Sequence, residues 1–169
     1  MDLKKLYYII YYIMSDKFAN AWSTLTLPNL VNNNEFIPLT NIDSSKSWKI
    51  CGDYLKCCSP GSWQFLAQYQ LYNLNSVDTG KNATLEGWFN INDKNIENYA
   101  STSYALKKDG SNVMVNCLAY KFKKGDKIRF GVRSTSIQDP PVLNIVAKGF
   151  ITASGVYAAS LGLTITRIT

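Results

Sequence analysis

The run SWQFLAQYQLYNL, residues 62–74, limits what this chain can fold into more than any other stretch. Trp63, Phe65, Ala67, Tyr69 and Leu71 share one parity; Gln64, Leu66, Gln68, Gln70 and Tyr72 share the other. Side chains of an extended strand point alternately to its two faces, so the first set marks a face set in a core. The second set is the informative one, because no charged residue occurs from Trp63 to Leu74. Residues 113–122 share this feature up to Lys121. A sandwich that stands alone presents one face of each strand to water. A strand nearly free of charge on both faces asks for a second cover.

The same period continues along the chain. ATLEGWFNIN (83–92), NYASTSYALK (98–107), SNVMVNCLAYKF (111–122), DKIRFGVRS (126–134) and ASLGLTITRIT (159–169) read as short strands, as does WSTLTLP (22–28). Between them lie turn residues: Ser59-Pro60-Gly61, Asp78-Thr79-Gly80, Asp109-Gly110, Gly125-Asp126 and Asp139-Pro140-Pro141. No segment carries a 3.6-residue apolar stripe over three turns. Seven or more short strands with frequent turns predict an all-β sandwich or barrel. At 169 residues a single core suffices.

Composition removes whole classes of chemistry. The chain has no histidine, which excludes histidine general acid–base catalysis, Ser-His-Asp and Cys-His nucleophile systems, and histidine metal sites. Cys51, Cys57, Cys58 and Cys117 form no C-x-x-C unit, which argues against zinc. A Cys51–Cys57 or Cys51–Cys58 disulfide and free buried thiols both remain open readings. Net charge is +6, yet of the 18 basic residues only Arg129, Arg133 and Arg167 are arginine. A nucleic-acid reader leans on arginine for bidentate contacts, so no nucleic-acid partner is expected. In KFKKGDKIRF (121–130) the lysines gather at the Gly125-Asp126 turn, without the interleaved aromatics of a single-strand groove. The expectation there is the solvated end of a hairpin.

The first residues, MDLKKLYYIIYYIM, place two lysines before nine apolar or aromatic residues, Leu6 to Met14. Nine residues are too few to cross a bilayer as a helix. Three readings stand: a retained hydrophobic arm (1–21) that packs on a partner or touches a membrane through residues 6–14; a signal-like segment with Ala19-x-Ala21 as its small-residue site; or an extension ahead of a start at Met14. Residues 22–169 form the folded domain. Asn82 heads the sequon NAT, a weak glycosylation signal. NINDKNIEN (90–98) is rich in oxygen ligands but lacks an EF-hand's turn glycine, so a solvated loop is preferred to a calcium site. KKDG (107–110) reads as a hairpin turn.

Three stretches resemble a known family. SPGSWQFLAQYQLY is similar to the strand after Pro-Gly in the tumour necrosis factor and complement globular-head superfamily. LAYKFKKGDKIRF resembles the strand, two linkers and Gly-Asp of those heads, and SGVYAASLGLTITRI their last strand, particularly in heads on viral and spore-surface fibres. Order and spacing match as well; a collagen-like stalk and a counterpart for residues 135–150 do not. The resemblance implies a jelly roll of about ten antiparallel strands in two sheets, assembled as a homotrimer, with no catalysis and no cofactor. Carried over by strand face, Leu66, Gln68, Gln70, Val115, Cys117, Ala119 and Tyr157 would face the three-fold axis. Trp63, Phe65, Tyr69, Leu118, Tyr120, Phe122, Ile128 and Phe130 would fill the space between sheets.

The functional expectation is a non-enzymatic trimeric recognition module on a virion surface: a fibre head, spike or capsid-decorating protein of a large DNA virus. The usage of Asn, Lys, Ile and Tyr, as from an AT-rich genome, motivates the viral part. The alternative is a secreted soluble ligand or lectin-like head that binds a receptor or glycan. Partners under either reading are sister subunits and a virion or cell-surface protein.

Overall fold

The computed structural model describes residues 17–25, 35–43, 45–73, 83–96, 101–104, 111–136, 145–147, 150–151 and 157–168. These form fifteen strand segments, and none of the described residues is helical. In chain order they are β1 (Phe18–Ser23), β2 (Glu35–Phe36), β3 (Asn41–Ile42), β4 (Trp48–Cys51), β5 (Tyr54–Cys57), β6 (Gly61–Asn73), β7 (Ala83–Ile91) and β8 (Lys94–Asn95). They continue with β9 (Ser101–Tyr104), β10 (Ser111–Phe122), β11 (Lys127–Ser136), β12 (Ile145–Ala147), β13 (Phe150–Ile151), β14 (Tyr157–Ala158) and β15 (Leu161–Arg167).

Two antiparallel sheets pack face to face. Sheet I runs β10-β6-β15-β1-β3, with β12 also on β6; sheet II runs β4-β5-β11-β7-β8, with β2 on β11 and β9 on β7. β13 and β14 make a separate two-stranded ribbon. First and last strands are neighbours, and β6 sits between β10 and β15, which is the crossing connectivity of a jelly roll. β10 and β11, the two strands of KFKKGDKIRF, do not form the expected hairpin. β10 pairs β6 and β11 pairs β5 and β7, so their turn carries the chain from one sheet to the other. The turn itself follows the sequence. Asp126 N–H donates to the Lys123 carbonyl at 3.1 Å and Gly125 takes φ 95°, the glycine position of a type II turn.

Alternation along the long strands decides the core. Trp63, Phe65, Ala67, Tyr69 and Leu71 are wholly buried, opposite Leu85, Phe89, Ile128, Phe130 and Val132 of sheet II. Trp48 reaches in from β4 and meets Trp63, Phe65 and Phe122 edge-on, with ring centroids 5.5, 5.0 and 5.0 Å apart. Such aromatic contacts add about 0.5–1.5 kcal/mol each beyond burial. Tyr120 departs from expectation: it shares the parity of Leu118 and Phe122 but is 38% exposed. β10 is the edge strand of sheet I, so a ring there lacks a neighbour on one flank.

Two polar side chains tie the sheets together. The buried Tyr69 hydroxyl donates to the Trp88 carbonyl at 3.4 Å, and Asn116 Nδ2 to the Gly87 carbonyl at 3.0 Å. Gly87 has no room for more: a Cβ there would lie 2.6 Å from Met114 Cε and 3.1 Å from Tyr69 Cε2. Burial pushes the Tyr69 hydroxyl pKa well above its ordinary value, so the group stays a donor.

Sheet I begins earlier than the 22–169 domain expected from sequence. β1 crosses the 21/22 boundary, pairing Phe18–Ser23 with Leu161–Thr166, and Ala19 and Ala21 are both 1% exposed. Their small size suits a packed core strand, and a cut after Ala21 would take four residues out of it. Residues 1–16, including the 6–14 apolar run, lie outside the described residues, as do Asn82 and the KKDG turn.

Candidate assembly interface

The face of sheet I turned away from the core gathers most of the residues the sequence assigned to a subunit interface. Backbone register sets them in rows across four strands. Ala119, Gln64, Thr166 and Phe18 form one row; Cys117, Leu66, Thr164 and Asn20 the next; Val115, Gln68, Gly162 and Trp22 a third; Val113 and Gln70 stand beyond. In the single chain Val113 and Val115 are 52% and 48% exposed, Cys117, Ala119 and Gln68 are exposed, and Leu66 and Gln70 are half-buried. Lys121 is the first charged side chain met along β10 on this face. Val113, Val115, Leu66 and Ala119 thus stand among amides and hydroxyls on one contiguous outer surface.

Side-chain contacts tie the rows together. Gln64 Nε2 lies 3.4 Å from Cys117 Sγ, and Thr164 Oγ1 donates to Asn20 Oδ1 at 3.4 Å. Gly162 opens the third row, since nothing stands within 4 Å of where its Cβ would be. The result is a shallow hollow of about 300 Å³ bordered by Gln68, Gln70, Val113, Ala159 and Gly162. Tyr157 sits in the β13–β14 ribbon, outside the six-stranded sheet, though the chain just after it, at Ala159, reaches the hollow. Sequence reasoning missed Val113, Thr164 and Thr166 on this face. Their parity was readable, but which strands lie side by side was not.

The other predicted features resolve as follows. All four cysteines are free. Cys51 pairs with Tyr54 and Cys57 with Trp48, so the β4–β5 hairpin holds the two thiols at opposite ends. Three residues at about 3.3 Å each exceed the roughly 7 Å Cα limit for a disulfide, which removes the Cys51–Cys57 link and, one residue farther on, the Cys51–Cys58 link. Burial, then the Asp126 charge, raises the Cys57 pKa from 9.0 to about 11. Asn92 and Asp93 form the two-residue loop between β7 and β8 with φ 51° and 65°, the both-positive geometry of a type I′ hairpin. Asn92 spends its side chain on Asp126 Oδ1 (3.0 Å) and on the Lys127 N–H (2.9 Å). Among the described residues no group of three acidic or thiol side chains could hold a metal ion.

The fold is shared with solved structures. The globular domain of zebrafish complement 1qA protein matches with TM-score 0.55 at 11% identity, over 91% of this chain and 98% of that one. Murine APRIL, crystallised at pH 8.0, aligns with TM-score 0.49 at 12% identity, over 88% and 97%. No family model and no curated protein matches the sequence. The zebrafish complement globular domain therefore has a fold similar to that of this chain, at 11% sequence identity.

Proposed function

We propose that this chain is a non-enzymatic recognition head that assembles as a homotrimer through the outer face of sheet I. One observation carries the reading: a face of β10, β6 and β15 without charge over Val113–Ala119, Gln64–Gln70 and Gly162–Thr166, with Val113, Val115 and Leu66 among its amides and hydroxyls. Burying that face against sister subunits supplies the second cover that the 63–74 stretch asks for. Leu66, Gln68, Gln70, Val115, Cys117 and Ala119 then lie at or near the three-fold axis, with Tyr157 at its rim. The histidine-free composition accords with a binding role.

Of the two settings, a secreted or extracellular head binding a receptor or glycan is preferred to a virion component. The likeness to a complement globular domain, over 91% of this chain, supports that preference. Light scattering on the purified chain tests the assembly: three times the chain mass is expected at micromolar concentration, and the chain mass for Val115→Lys. A wild-type chain that stays monomeric at that concentration removes the proposal.

A further inference from the structure

The outer face of sheet II carries a second feature that the trimer does not use. Lys49 pairs with Lys56 across β4 and β5, and Lys56 pairs with Lys127 across β5 and β11. Trp48, Leu55, Cys57 and Ile128 point into the core from the adjacent positions, so all three lysines point outward, and all are exposed. Strands lie about 4.8 Å apart, so three ammonium groups stand in one line across three strands. Directly opposed like charges destabilise a sheet. Among the described residues no ion pair links any of the three to a carboxylate; the Lys127 ammonium rests over the Tyr54 ring at 5.0 Å. The nearby acids are engaged elsewhere. Asp53 and Asp93 both hold Arg129, and Asp126 accepts from the Lys123 N–H at 2.7 Å and from Asn92.

The turn after β10 adds lysines beside the row. Gly125 N–H donates to the Cys57 carbonyl and Cys57 N–H to the Asp126 carbonyl, both at 2.8 Å. This seats exposed Lys123 and Lys124 at the end of β5, beyond Lys56. Five lysines from three separate segments thus make one positive patch, a row of three with two more beside it, which raises the local concentration of a polyanionic counterion. We propose that this patch binds a sulfated polysaccharide. Lysine meets a sulfate as a point charge with rotatable donors. The one aromatic ring against these lysines, Tyr54, is covered by Lys127 at 5.0 Å and by Arg129 at 5.9 Å, whereas a nucleic-acid strand would need open rings on which successive bases stack. Arg129 is already held by two carboxylates.

The test uses the full chain on immobilised dextran sulfate across a salt series. Lys49→Gln/Lys56→Gln/Lys127→Gln is compared with an equal charge loss elsewhere, Lys17→Gln/Lys94→Gln/Arg133→Gln. The row variant is expected to lose about tenfold or more in affinity at moderate salt, and its log K against log salt slope to fall by about two. The control variant is expected to lose less than about threefold. Because relief of opposed charges favours the fold, the row variant also keeps or raises its melting temperature. Its scattering mass stays that of wild type, which separates this proposal from the trimer. Absence of wild-type binding, equal losses in the two variants, or tighter binding of oligothymidylate than of dextran sulfate would each overturn it.

Discussion

The two outer faces of the sandwich solve the problem of facing outward in opposite ways. Sheet II is closed by its own side chains. The Trp88 indole lies flat across Gly131, Phe36 meets it edge-on with centroids 6.3 Å apart, and Arg129 covers Phe36 at 5.6 Å. Arg133 pairs with Glu86 at 2.6 Å, and Arg129 with Asp53 at 2.9 Å and with Asp93. Sheet I has valines, a leucine, amides and hydroxyls there, and a hollow where Gly162 leaves space. One face satisfies its apolar and charged groups within the chain and the other does not. The difference is what the proposed assembly through sheet I rests on, and on sheet II it sets the lysine row apart.

Several measurements break or sharpen this contrast. The largest effect belongs to neither face but to what joins them: Trp48→Ala empties the aromatic junction between the sheets and should cost about 3–5 kcal/mol in chemical denaturation. Next comes the closed face. At Gly131 a Cβ would lie 2.1 Å from Trp88 Cε2, so Gly131→Ala must displace the indole, with an expected loss of about 1–3 kcal/mol. A neutral outcome would show that the Trp88 cover is loose and the contrast overstated.

The thiols offer a probe that distinguishes the faces directly. Cys117 is exposed on sheet I, while Cys57 is buried with Sγ donating to the Ser59 carbonyl at 3.1 Å. A maleimide should label Cys117 slowly in the wild-type assembly and rapidly in Val115→Lys, and Cys57 slowly in both. Equal Cys117 rates in the two proteins would count against burial of that face. Cys57 also gives a pH dependence. Its folded pKa lies above the unfolded value, so the folded chain holds a proton that the unfolded chain releases. That contribution is complete below about pH 9 and is lost as pH rises to about 11. Cys57→Ala should flatten the stability profile over that window in urea melts.

The smallest effect is at the surface pair. Arg133→Gln should change stability by less than about 1 kcal/mol, since the pair is partly exposed and screened by salt.

Much of the fold was legible because alternation in β6, β10, β11 and β15 is a local property of the backbone. Trp63 through Leu71 went inside as their parity required, and Gly125 took the turn that its missing Cβ allows. The parity of Leu66, Gln68, Val115 and Cys117 likewise put them on one outer face. Tyr120 shows the limit of this reasoning: parity chose its direction, but among the described residues no strand lies beyond β10 to cover it. The KFKKGDKIRF stretch shows a second limit. A tight turn between two strands implies that they are joined, and a turn says nothing about whether they pair.

The amino-acid order alone therefore determined which residues face inward, where the turns fall and which chemistries are impossible, because these depend on neighbours a few positions apart. Only the tertiary structure decided that Lys49, Lys56 and Lys127 form a line, that Ala19 and Ala21 lie in a core strand, and that Cys51 cannot reach Cys57. Each of these is a matter of pairing partner and register. That choice is made by burial and hydrogen bonding between segments far apart in the chain, and it leaves no mark in either segment by itself.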